Sequence, residues 1–162
     1  MRLFAGVVLG VVLGLGSTGC ATRYILNTDV EDNEPNRRVV EFCEKYRRAV
    51  EARNVPLLLR LADPRYYEDG GNADATDDLD YAGLREYLED KFKDTRSVRY
   101  EIRYRRVNAG DRQIVNVDYT YTASYKIPTP TGPAWRRVVA DNRLQLVPVK
   151  DRNEGFLILS GM

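Results

Sequence analysis

Hydrophobic positions along the chain fall into three regimes. Residues 3–15 form one unbroken apolar run. From Val39 to Phe92 the apolar positions recur at helical spacing, and from Val98 to the C-terminus they alternate. Asp32-Asn33-Glu34-Pro35 offers a capping side chain and a first-turn proline, so a helix is expected to start there. Its apolar stripe is Val39, Phe42, Cys43, Tyr46, Ala49 and Val50, and Asn54 is expected to close it in the left-handed conformation. Residues 55–62 read as a second short helix, with Pro56 in its first turn and Asp63-Pro64 stopping it. Residues 65–68 read as a short strand. Asp80 is placed to cap a third helix, residues 81–93, whose apolar face is Tyr81, Leu84, Leu88 and Phe92.

Beyond Asp94 the period changes to two. Val98, Tyr100, Ile102 and Tyr104 alternate with Arg99, Glu101, Arg103 and Arg105, which predicts a half-buried strand. A turn is expected at Asn108-Ala109-Gly110-Asp111. Val115, Val117, Tyr119, Tyr121, Ala123 and Tyr125 mark the inner face of a second strand. A loop rich in Pro and Gly follows, then a third strand over residues 135–149 with Val138, Ala140, Leu144 and Leu146 on one face. A turn at residues 150–155 leads into a last strand at residues 156–159.

Helices followed by long antiparallel hairpins predict an α+β fold. The order of elements, the stretch LLLRLADPRYYEDGG from Leu57 and the terminal FLILSGM from Phe156 resemble the nuclear transport factor 2-like (SnoaL-like) superfamily. The resemblance covers residues 37–161 and implies helices packed on a curved antiparallel sheet, enclosing a conical pocket. A cystatin-like helix-on-sheet module is the alternative. Enzymes of the superfamily, steroid isomerases and dehydratases among them, use Tyr, Asp and often His inside the cone. No position here matches a family catalytic motif, so no catalytic residue is assigned.

Composition narrows the chemistry. The 162 residues contain no histidine, which removes Ser-His-Asp and Cys-His catalysis and His-containing zinc sites. A Tyr–Asp isomerase would draw a phenol from the tyrosines and a base from Asp69, Asp118 or Asp141. Tyr66, Tyr100, Tyr104, Tyr119 and Tyr121 are the candidate ligand-binding side chains, against the simpler reading that they fill the core. Residues 68–80 hold six carboxylates, an invitation to calcium, but the spacing does not fit an EF-hand and a solvated loop is the expectation. No metal site and no cofactor is read. Arg99, Arg103, Arg105, Arg106, Arg136 and Arg137 suggest either a basic binding face or a solvated one with ion pairs to Glu101, Asp118 and Asp141. Arg2 is the only charged side chain before Cys20, so the rest carries 24 basic and 24 acidic groups. That balance argues against nucleic acid as a partner.

Arg2, the 13-residue apolar run and the small residues at 16–19 read as an export signal occupying residues 1–19. Thr18-Gly19-Cys20 resembles the lipobox of bacterial lipoproteins, with Ser17 departing from its usual leucine. The resemblance implies cleavage before Cys20, lipid on Cys20 and a cell-envelope location. Ala21 after the cysteine suggests the outer membrane. Plain secretion and an uncleaved inner-membrane anchor remain alternatives, since Ser17 and Gly19 also fit ordinary signal peptidase, and Gly6, Gly10 and Gly14 form a small-xxx-small face. Residues 20–36 are expected to be a tether to a domain spanning 37–162, with docking of Tyr24-Ile25-Leu26 as the other reading. Cys43 is read as a buried hydrophobe rather than a reactive thiol, and a Cys20–Cys43 disulfide is open only if Cys20 carries no lipid. The functional expectation is a membrane-tethered domain that binds a small apolar ligand or an envelope protein. A small isomerase or dehydratase and a purely structural envelope protein are the alternatives.

Overall fold

The computed structural model describes residues 22–69, 78–150 and 155–162. The residues read as an export signal, Cys20, the centre of the acidic loop and most of the last turn lie outside the described residues. Helix α1 spans Glu34–Glu51, with the Asn33 side chain accepting from the Asn36 amide as its cap. Helix α2 spans Val55–Leu61 and α3 spans Tyr81–Lys93. Asp80 caps α3 through the Gly83 amide, as its position predicts. Asn54 does not close α1. Arg53 takes the left-handed conformation instead, at φ 52°, and Asn54 caps α2 by accepting from the Leu57 amide. A side-chain acceptor is of more use at the start of a helix, where amides are orphaned, than at the end of one.

Strands β1 (Tyr67–Glu68) and β2 (Leu79–Asp80) form a minimal hairpin. The main sheet is antiparallel in the order β3-β4-β5-β6, with β3 Ser97–Ala109, β4 Val115–Ile127, β5 Ala134–Pro148 and β6 Phe156–Ser160. The turn after β3 falls later than the Asn-Ala-Gly-Asp signal suggested. β3 runs through Ala109, and a one-turn helix at Asp111–Gln113 reverses the chain with Arg112 and Gln113 at positive φ.

Helices and concave sheet face close on one core. Leu58, Leu61, Leu84, Leu144, Leu146 and Ile158 are fully buried in it, each contributing about 1.5–3 kcal/mol. Three helices rather than one lie on the sheet, so the α+β cone is the architecture and the cystatin-like alternative is set aside. A bulge in β3 between Tyr104 and Arg106 adds one residue, bending the strand around the core.

The segment expected as a tether is packed on the domain from Ile25 to Asn33. It turns back on itself through the Tyr24–Glu31 bridge, and the Asp29 amide donates to the Tyr104 carbonyl at 2.9 Å beside the bulge. Val30 is buried, whereas Tyr24 and Leu26 are exposed. The apolar triplet is therefore not the anchor as a unit; Val30 and Ile25 hold the segment down.

Candidate functional site

Strand alternation decides what faces the cone. Tyr100 and Tyr104 of β3, Val117, Tyr119, Tyr121 and Ala123 of β4, and Leu144 and Leu146 of β5 point inward. From the depth of the cone to its mouth, tyrosine rings pack on one another. Tyr46 meets Tyr100 edge to face at 6.3 Å, Tyr100 lies 5.5 Å from Tyr121, and Tyr119 lies 6.2 Å from Tyr121. Their hydroxyls are engaged with protein. Tyr100 interacts with the hydroxyls of Tyr46 and Tyr119. Tyr119 accepts from Asn142 at 3.1 Å and donates toward the Gly161 carbonyl at 3.4 Å. Burial pushes the Tyr46, Tyr100 and Tyr119 phenols above their ordinary range, so they stay protonated.

Nearer the rim, the cone is open. A pocket of about 420 Å³ lies between α3, the end of α1 and the sheet. Ala123 is its floor, because a methyl group there leaves room between Tyr100 on one neighbouring strand and Val138 on the other. Phe92 and Val50 close it from the helices. Lys91, whose ammonium sits 5.2 Å from the Tyr87 ring centre, and Thr95 are the polar exceptions. No carboxylate lines this space among the described residues. It offers aromatic and aliphatic surface with one cation at the edge, which suits a flat apolar molecule, and among the described residues no carboxylate is there to act as a base.

The five candidate tyrosines do not surround one cavity. Tyr100 and Tyr121 line the mouth. Tyr104 is buried beside α1, donating to Glu44 at 3.0 Å, and its phenol is pushed up chiefly by burial. Tyr66 is buried beneath the C-terminus and accepts from the Met162 amide at 3.3 Å, with burial again the main cause of its raised pKa. Tyr119 sits between these regions, in the packed interior. Among the walls that sequence reasoning missed are Ala123, Phe92 and Val138 at the mouth. Each stood in an apolar periodicity, but nothing local distinguishes a core position from a pocket wall.

The carboxylates offered as bases lie elsewhere. Asp118 accepts from Arg143 at 2.6 Å and Asp141 from Thr120 at 2.6 Å, both on the convex face. Asp69 lines a separate hollow with Tyr67 and Asn142. The shallow convex groove of about 630 Å³ is lined by Arg105, Asp118, Asp141 and Arg143, whose opposite charges leave no excess for an anion. Arg103 and Arg105 pair with Asp29, at 3.2 Å and 2.9 Å from its Oδ2, and Arg99 lies 5.0 Å above the Trp135 ring. The sheet face is thus partly ion-paired: Asp29 of the N-terminal segment takes Arg103 and Arg105, Asp118 takes Arg143 rather than one of the six expected arginines, and Asp141 takes the Thr120 hydroxyl. Cys43 is a free, fully buried thiol with its pKa raised by burial, the environment of a packing residue.

No protein-family model matches the chain, and no curated protein is similar to it in sequence. Solved structures share its fold. A protein of Kribbella flavida superposes with a TM-score of 0.62 at 14% identity, over 78% of this chain and 86% of that one. ActVI-ORFA of Streptomyces coelicolor gives 0.60 at 11% identity, over 79% and 95%. A nuclear transport factor 2-like superfamily protein of Salmonella enterica gives 0.60 at 8% identity, over 77% and 86%. The fold is the nuclear transport factor 2-like cone.

Proposed function

We propose that this chain is an envelope lipoprotein whose cone mouth binds a small, flat apolar or aromatic molecule without transforming it. One observation carries the reading: the open part of the cone is walled by aromatic and aliphatic side chains, with no carboxylate among the described residues that line it. An isomerase or dehydratase needs a base beside the substrate. Asp118 and Asp141 are on the opposite face of the sheet, so binding is the better-supported reading. Lipid on Cys20 would hold this pocket at the membrane surface, where apolar molecules partition.

The pocket is tested by titrating the full chain in detergent with anilinonaphthalene sulfonate and competing with uncharged aromatic compounds. Saturable, competable binding is expected. Ala123→Trp, which fills the floor from a half-buried position, should weaken it at least about tenfold while the far-ultraviolet spectrum is kept. Unchanged binding in that variant sinks the pocket. The tether is tested separately by palmitate labelling in cells, with incorporation expected and its loss in Cys20→Ser. Label retained by that variant, or absent from the natural chain, removes the lipid.

A further inference from the structure

β5 carries Val138 to the pocket, yet its outer edge has little company. β6 pairs with it only at Gln145, Leu146, Val147 and Pro148, and Gly161 sits against the Arg143 carbonyl. From residue 134 to 142 no described strand flanks that edge. Trp135, Val138 and Val139 on this stretch are 46%, 39% and 57% exposed. An open strand edge with apolar side chains is a template for another strand.

We propose that a second copy of this chain adds to that edge, antiparallel to the first, about a twofold axis centred on Val139. Such an axis keeps the convex face continuous across both copies, so every residue must meet one of its own face. Centred on Val139, the ladder sets Val139 against its mate, Val138 against Ala140, Arg136 against Asn142 and Arg137 against Asp141. The last pair occurs twice by symmetry and matches opposite charges on the convex face, where Thr120 already orients the Asp141 carboxylate. Other registers lose this. Centring on Ala140 puts Arg137 opposite Arg143, and centring on Val138 puts Arg137 opposite Val139 and Asp141 opposite Trp135. Centring on Arg137 or Asp141 opposes each to its own charge. Within residues 134–142 only this register sets opposite charges face to face, and its centre is the most exposed of the three apolar side chains.

The test uses the full chain in detergent with Cys20→Ser as background. Residues facing each other across an antiparallel ladder have Cα atoms about 4.5–5.5 Å apart, within the span of a disulfide. Val139→Cys is therefore expected to give a disulfide-linked dimer on mild oxidation. Ser124→Cys, on β4 away from the edge, is expected to give none. Sedimentation equilibrium should show a concentration-dependent dimer. Arg137→Asp or Asp141→Arg alone should weaken it about tenfold, and the two together should restore it. A monomer throughout, a dimer indifferent to the swaps, or equal cross-linking through position 124 overturns the proposal.

Discussion

At the scale of single residues, close backbone approach outweighs side-chain chemistry at the C-terminus. Gly161 has φ +90°, and a Cβ there would stand 1.9 Å from the Arg143 carbonyl oxygen. Its amide donates to Glu68 and its carbonyl accepts from Asn142 at 3.2 Å, so the chain cannot simply move away. Gly161→Ala should cost about 2–4 kcal/mol, read by denaturant unfolding. A loss under about 0.5 kcal/mol would show the terminus to be loosely held. The terminal Ser-Gly was visible in the sequence, but the clash partner, Arg143, is brought there only by the β5–β6 pairing.

At the scale of elements, the N-terminal segment is held by one carboxylate shared between two guanidinium groups. Hydrogen bonds from Arg103 and then Arg105 hold Asp29 below the usual carboxylate range. A depressed folded pKa means the clamp's contribution is complete above the unfolded value near about 4 and is lost as pH falls through the lower folded value. Wild type should therefore be more stable than Asp29→Asn at neutral pH, and the two should converge as pH falls below that lower folded value. A gap that persists in acid would assign the effect to something other than ionisation. Helix spans and strand alternation were legible because each is local. The docking of residues 25–33 was not, since it depends on a bulge 75 residues away that exposes the Tyr104 carbonyl and aims Arg105 at Asp29.

Across the whole molecule, the tyrosines divide by burial. Tyr46, Tyr66, Tyr104 and Tyr119 are packed inside with phenols pushed up mainly by desolvation. The folded state thus keeps protons that the unfolded chain releases near about pH 10, and stability should fall as pH rises through that value. In an absorbance titration of the 11 tyrosines, the buried ones should ionise only together with loss of the folded circular dichroism signal. Smooth ionisation of all 11 in the folded protein would contradict this packing.

The sequence by itself determined the α+β order, the start of the first helix within residues 32–35, the Asp80 cap, the inward faces of the strands and the absence of histidine chemistry, because propensity, periodicity and composition act over a few residues. Which inward tyrosines pack and which line open space was decided by the tertiary structure. Curvature and the depth to which helices penetrate the cone set that division, so Tyr119 is sealed while Tyr121, two residues further along the same face, reaches the mouth. The open edge of β5 was likewise invisible in an alternating pattern, for pairing partners are chosen by the sheet and not by the strand.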